Sequence, residues 1–362
     1  NVNGEDERGL LGIASSNNST TGKIYVFLYY TEAEPGTQAE EGEDSDNEAE
    51  EQTSNGDGGQ PIGNRLYRYE LSENGSKLVN PKLLLDLPYQ PGPAHNGGAI
   101  ALGGPNNSNV CVIIGNLEVP PLNEGKGTNI AQNIPAGEKP DGRAGINCVT
   151  QNGEKIKMDT SDGGDRGILG VGHPLDKYYA YGIRNGFGIA FDPLSGLLWD
   201  TENGGYDEIN LVEPGSNSGF SVITGSSNRS EYEDFRQEDL VNFDGNGKYS
   251  DPELDLGKHI APTALAFLNS KSLGEEHENE LFVATVNGKI FHFALSDDRR
   301  QLALEGKLTD KIADSEQELE DVTFGDDMGL ITDLEVGPDG YLYATIFNSD
   351  DGKIVRILPK NL

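Results

Sequence analysis

Residues 188–203 read GIAFDPLSGLLWDTEN. A short apolar run, Gly188–Phe191, meets the turn-forming Asp192-Pro193-Leu194-Ser195-Gly196, and a second apolar run follows at 197–201. Runs this short, bounded by Pro, Gly, Ser and Asp, predict two strands of a hairpin. The same signature recurs on either side, in AIALGGPNNSNVCVIIGN (99–116), ALAFLNSKSLGEEHENELFVATVNG (264–288) and DLEVGPDGYLYATIF (333–347). Each unit is a meander that cannot bury both of its faces alone. Stacking such sheets radially about an axis buries both, which is the β-propeller solution. A double sandwich is the main rival, but it has no reason to repeat one two-strand signature four times.

Further strand-like runs lie at 80–86, 109–115, 144–150, 178–183, 187–192, 207–213, 218–223, 262–268, 280–286, 288–295, 331–337, 341–347 and 353–358, with another at 97–102. No segment keeps a 3.6-residue period for three turns, and Ala313–Leu319 reads as one helical turn. The 48 glycines and 18 prolines among 362 residues agree with many strands joined by turns. Lys23–Thr31 and Asn64–Leu71 predict a hairpin whose tip is the acidic, low-complexity segment 32–60. That segment has too few apolar side chains to offset its ordering entropy, so it is expected to be a disordered surface loop. The chain as a whole, 1–362, reads as a single propeller domain.

Acidic residues outnumber basic ones 61 to 27, a formal net charge of −34. Such a field repels phosphate backbones and anionic lipid, which excludes nucleic-acid binding. No stretch approaches 18 consecutive apolar residues, so no membrane span is expected. Cys111 and Cys148 are the two cysteines. Each sits in a strand-like run, and they pair as a cross-strand disulfide if those runs are neighbours; otherwise they are buried thiols. Asn17, Asn18, Asn74, Asn106 and Asn228 each open an Asn-x-Ser/Thr sequence in a polar, turn-like stretch, and are candidate glycosylation sites. With the acid bias they favour an extracellular or cell-surface protein whose signal peptide is no longer part of the chain.

Two stretches carry chemistry. One is YYAYGIRNGFGIAFDPLSGLLWDTENGGYDEINLVEPGSNSGF (178–220). Arg184 offers a two-pronged hydrogen bond to an anion or a quinone oxygen. Gly204 and Gly205 expose backbone carbonyls of the kind a hard cation such as Ca²⁺ takes. The plainer reading is that Asp207-Glu208 caps a turn and Arg184 makes a structural ion pair. The other stretch is Pro91–Gly98, where His95 stands in a Gly/Pro loop before a strand and suits a general base. A lone loop histidine is more often an ordinary surface residue. No HExxH, CxxC or GxSxG is present, and Asp244–Asp251 lacks the glycine and terminal glutamate of an EF-hand loop.

Taken together, GLLGIA (9–14), HNGGAI (95–100), GIRNGFGIAFDP (182–193), ENGGYDEINLVEPGSNSGF (202–220), APTALAFL (261–268) and VGPDGYLY (336–343) resemble the soluble quinoprotein sugar dehydrogenases, the glucose/sorbosone dehydrogenase family. The resemblance implies an all-β, six-bladed propeller of four-stranded antiparallel blades. It implies pyrroloquinoline quinone (PQQ) and Ca²⁺ near the axis, and oxidation of the anomeric hydroxyl of an aldose to the lactone, with electrons leaving to a soluble acceptor. His95 falls on the general base, and Arg184, Asn185 and Asn203 on cofactor contacts. Gly204 and Gly205 fall on carbonyl ligands of calcium, and Glu7 falls near a sugar-contacting residue.

The chain departs from the family pattern where arginines are expected at Leu330 and Thr332 and a lysine at Asn287. Each missing charge-assisted hydrogen bond is worth about 1.5–3 kcal/mol toward a trianionic cofactor. The family also carries strands before GLLG, which leaves the first blade incomplete at the N-terminus, with open sheet edges that invite self-association. The alternative function is a catalytically lapsed, secreted propeller that binds carbohydrate or serves surface assembly.

Overall fold

The computed structural model describes residues 1–18, 21–35, 59–119, 129–157, 165–348 and 351–359. They form five sheets. The first contains β1 (Leu10–Asn17), β2 (Ile24–Ala33), β3 (Pro61–Leu71) and β4 (Leu78–Leu87), paired in chain order. The second contains β5 (Ile100–Gly103), β6 (Asn109–Ile114), β7 (Gly145–Thr150) and β8 (Tyr178–Tyr181). The third contains β9 (Gly186–Phe191), β10 (Leu198–Glu202) and β11 (Asp207–Val212). Two two-residue strands, β12 (Ser216–Asn217) and β13 (Lys248–Tyr249), extend the second sheet in parallel, and β14 (Leu254–Gly257) completes the third. The fourth contains β15 (Pro262–Leu268), β16 (Glu280–Thr285), β17 (Ile290–Phe293) and β18 (Thr323–Gly325). The last contains β19 (Leu330–Val336), β20 (Leu342–Phe347) and β21 (Lys353–Arg356).

The first strands of all five sheets, β1, β5, β9, β15 and β19, line one cavity of about 380 Å³. In chain order each of these strands contacts the next. The inner strands approach closely because they meet at glycine. A Cβ on Gly12 would stand 2.1 Å from the carbonyl oxygen of Gly98. This is the radial arrangement of a propeller, and the strands of the three middle sheets are apolar on both faces because each of those sheets is sandwiched between two others. Val110, Val112 and Ile114 of β6 pack against Phe27, Tyr29 and Leu66 of the first sheet. The alternate residues Cys111 and Ile113 pack against Ile189 and Leu198 of the third. On β15, Leu265 and Phe267 meet Trp199 and Ile209, while Ala264, Ala266 and Leu268 meet the last sheet. Period-2 alternation thus supplies two buried faces.

Several sequence expectations are corrected. The β2–β3 hairpin forms, but its pairing continues to Ala33 opposite Pro61, so the acidic tip starts beyond Ala33 and not at Glu32. Its residues 36–58 lie outside the described residues. Residues 218–223 are not a strand: pairing ends at Asn217, whose side-chain carbonyl accepts the Gly219 N–H and turns the chain. The helical turn falls at Glu316–Val322 as a 3₁₀ segment. β1, β12, β13, β14 and β18 went unpredicted as strands. The first sheet is a complete four-stranded one, whereas the last has three strands. Among the described residues five sheets stand where the resemblance implies six blades. Leu10 and Ile13 of the first sheet and Phe347 and Ile354 of the last are exposed. Cys111 lies directly opposite Cys148 on β7, and the two are joined in a disulfide. Of the glycosylation candidates, Asn17, Asn74, Asn106 and Asn228 are exposed and Asn18 is half-buried.

Candidate active site

His95 stands at the end of the Gly/Pro loop with φ +63° and is only 2% exposed. Its backbone N–H donates to the Glu7 carboxylate, and its carbonyl accepts from Gly115 N–H at 3.1 Å. Its Nδ1 lies 2.7 Å from Oδ1 of Asn116. Asn116 Nδ2 donates to Glu118 Oε1 at 2.8 Å, and Glu118 Oε2 accepts from Arg184 at 3.4 Å. Asn116 N–H donates to the Arg184 carbonyl at 2.9 Å. A buried chain of contacts therefore joins four segments: Glu7, His95, Asn116–Glu118 and Arg184. Gly115 makes it fit. A Cβ there would meet the Arg184 carbonyl oxygen at 2.4 Å and the His95 carbonyl oxygen at 2.8 Å. Burial lowers the His95 pKa; the Asn116 hydrogen bond opposes this, and the Arg184 charge adds to it. The imidazole is therefore neutral at neutral pH.

Arg184 also borders a cavity of about 290 Å³, with Gly204, Gly205, Tyr206, residues 220–224, Glu231, Tyr232 and Lys258. Behind Arg184, Asn185 is buried, and its Oδ1 has no hydrogen-bond partner. Asn203 N–H donates to the Asn185 carbonyl at 2.6 Å, and the Asn203 Oδ1 is likewise buried without a partner. Among the described residues no hydrogen bond reaches the Gly204 or Gly205 carbonyl. The plainer reading of this stretch also holds in part. Asp207 accepts from Gly204 N–H and, at 2.8 Å each, from Ile260 and Ala261 N–H. It thereby ties the loop carrying Lys258 to the loop carrying the two glycines. Burial raises its pKa against those backbone bonds.

Lys258 escaped the sequence reading. Its Nζ stands 4.5 Å from the Tyr206 ring centroid, and the Arg229 guanidinium stands 3.8 Å from the same centroid. The β14–β11 pairing, which sets Gly257 opposite Asp207, and the Asp207 tie bring it to the cavity across fifty residues of sequence. The positions where cations were expected supply none. Thr332 lines the axial cavity and Asn287 is exposed. Lys289 turns to Glu316, at 3.8 Å. A second feature was also missed. Asp200 and Glu202 on β10 face Asn210 and Glu208 on β11, and all four are buried. Asn210 Nδ2 donates to Asp200 at 3.0 Å and to Glu202 at 3.1 Å. Burial pushes the Asp200 pKa up to about 7 and that of Glu208 to about 8, and raises Glu202 as well. The i, i+2 spacing of D-x-E and E-x-N on adjacent strands was the available signal.

The sequence pattern of the glucose/sorbosone dehydrogenases matches residues 1–356. The chain belongs to this family. An aldose sugar dehydrogenase of Escherichia coli is 29% identical over 188 residues, which is 51% of this chain and 44% of that protein. The matched stretch thus spans less than half of that relative. A putative oxidoreductase (glucose dehydrogenase) from Thermus thermophilus superposes with TM-score 0.63 at 23% identity, covering 99% of this chain and 85% of that one. The PQQ-bound aldose sugar dehydrogenase of Streptomyces coelicolor superposes with TM-score 0.60 at 19% identity, over 98% and 81% of the two chains. These structural likenesses place the chain in the propeller fold of the family. No helix among the described residues is long and apolar enough to cross a membrane.

Proposed function

We propose that this protein is a PQQ- and Ca²⁺-dependent oxidoreductase that converts the anomeric hydroxyl of an aldose to the lactone. The observation that carries the reading is the joining of a buried neutral histidine, through Asn116 and Glu118, to Arg184 at a cavity that Gly204 and Gly205 line, with the unpartnered amide oxygens of Asn185 and Asn203 on the residues next to Arg184 and Gly204 in the chain. Unpartnered buried oxygens are costly unless a donor or cation meets them, and hard cations take such ligands. The buried, unpartnered amide oxygens of Asn185 and Asn203 call for such a partner, and the Gly204 and Gly205 carbonyls, at the cavity and outside any hydrogen bond among the described residues, are ligands of the kind Ca²⁺ takes. No group of three or more His, Cys, Asp or Glu side chains suited to a metal occurs among the described residues. The remaining ligands of the ion would come from the cofactor and water. Arg184 and Lys258 are the cations lining the cavity and would pair with the cofactor's carboxylates. When bound, the quinone supplies the acceptor for the hydrogen and electron pair lost from the anomeric carbon. His95 Nε2 takes the proton of the anomeric hydroxyl, and Glu7 holds the His95 backbone in place. The disulfide and the acidic surface support an extracellular setting with a soluble electron acceptor.

The test is a titration of metal-stripped protein with PQQ, with and without Ca²⁺, followed by dye-linked sugar oxidation. Calcium-dependent binding with turnover that His95→Gln abolishes is the expected result. Absence of binding at tens of micromolar would overturn the reading and leave the carbohydrate-binding or assembly module, which the missing cations at Asn287, Leu330 and Thr332 favour.

A further inference from the structure

The polar chain between His95 and Arg184 contains its own directionality. Among the described residues His95 has one ring partner, Asn116 at Nδ1. An amide can present either its oxygen or its NH₂ to an imidazole nitrogen, so this contact alone leaves the tautomer open. Glu118 removes the ambiguity. An ionised carboxylate only accepts, so the Asn116 atom 2.8 Å from Glu118 must be the NH₂. The amide oxygen then faces His95, and at 2.7 Å it must receive an N–H. His95, Asn116 and Glu118 are 2%, 3% and 7% exposed, so water competes little for these groups. The charged groups acting on the ring are Arg184, Glu118 and Glu7. The Arg184 guanidinium stands 3.4 Å from the second Glu118 oxygen, so Arg184 is aimed from the same carboxylate that orients the base.

We propose that Asn116 and Glu118 are positioning residues that lock His95 in the Nδ1–H tautomer, so that Nε2 carries the lone pair and is held in fixed relation to Arg184. The partner of the imidazole is a neutral amide, with the carboxylate one bond further away. The ring is therefore oriented without the direct ion pair that would draw it into the protonated state. The use made of Nε2 rests on the proposed function; the tautomer does not.

The experiment reads the tautomer directly, without cofactor. Protein labelled with ¹⁵N at its histidine rings is examined by long-range ¹H–¹⁵N correlation between pH 6 and 8, with His95→Gln to assign the resonance. The expected spectrum has a protonated-type Nδ1 and an unprotonated-type Nε2. In Glu118→Gln and Asn116→Leu the two signals should move toward the Nε2–H form that free imidazole side chains prefer. Asn116→Asp should keep the tautomer but shift the protonation midpoint upward. Nε2–H in the wild-type protein overturns the proposal, and so does a tautomer unmoved in both Glu118→Gln and Asn116→Leu. If a variant fails to fold, the wild-type spectrum still decides. A locked Nδ1–H tautomer in a protein that binds no PQQ sinks the enzyme reading and leaves the lock; sugar oxidation by a protein with the other tautomer does the reverse.

Discussion

Replacing Asp200 by Asn should make the protein more resistant to alkaline destabilisation. Asp200 is fully buried; its Oδ1 accepts from Asn210 and its Oδ2 has no partner. Among the described residues no cation pairs with it, and Glu202 and Glu208 lie on the same buried face. Burial lifts its pKa from near 3.8 to about 7. A carboxyl whose folded pKa lies above its unfolded value favours the fold while protonated. That contribution is fully present below about pH 4 and is lost as pH rises through about 7. One such group changes stability by about 1.4 kcal/mol per pH unit inside that window, or about 2–3 kcal/mol between pH 5 and pH 8. The three carboxyls titrate as a coupled set, so the loss belongs to the cluster, and the amide removes one proton from it. The substitution keeps an oxygen for Asn210 and does not ionise. Urea unfolding, followed by the fluorescence of Trp199, the single tryptophan, reads the difference at each pH. The stability of Asp200→Asn relative to wild type should rise by roughly 2–3 kcal/mol from pH 5 to pH 8. Groups such as Glu335, also pushed up to about 7, titrate in both proteins and cancel. Parallel stability curves for the two proteins would refute the reasoning, because they would mean that Asp200 is ionised or solvated throughout.

Three further outcomes are expected. Gly115→Ala should destabilise the protein by about 1–3 kcal/mol, because its Cβ meets backbone atoms that cannot rotate away; urea midpoints measure this, and PQQ titration should show the loss of the His95–Arg184 arrangement. Lys258→Met should weaken PQQ binding by about tenfold, the worth of one charge-assisted hydrogen bond, while leaving the unfolding midpoint unchanged; equal affinity in the two proteins would remove Lys258 from the site. Reduction of Cys111–Cys148, which closes a loop of sequence separation 37, should cost about 2–4 kcal/mol, seen as a lower melting temperature in reductant.

Much of the architecture was legible in the sequence, because apolar runs such as Val110–Ile114 and Ala264–Leu268 need burial on both faces and only stacked sheets provide it. The β2–β3 hairpin was legible for the same reason, its two apolar runs flanking a tip that nothing could bury. β1 went unassigned as a strand because four of its eight residues are Gly, Ser or Asn, so that the register against β2, and not its own composition, makes it a strand. His95, Arg184 and Asn203 stood out as residue types capable of chemistry, but the roughly ninety residues that part His95 from Arg184 say nothing about contact. Asn116 and Glu118, which join the first two, carry no motif. Lys258 reaches the cavity through the pairing of β14 with β11, which sets Gly257 opposite Asp207, and through the bonds that Asp207 accepts from Ile260 and Ala261. Local alternation of apolar and turn residues acts between neighbours in the chain and so determines strands and their two buried faces. The hydrogen bonds that select a tautomer or aim a guanidinium act over about 3 Å between distant segments, and only the closed packing of the sheets decides which segments meet.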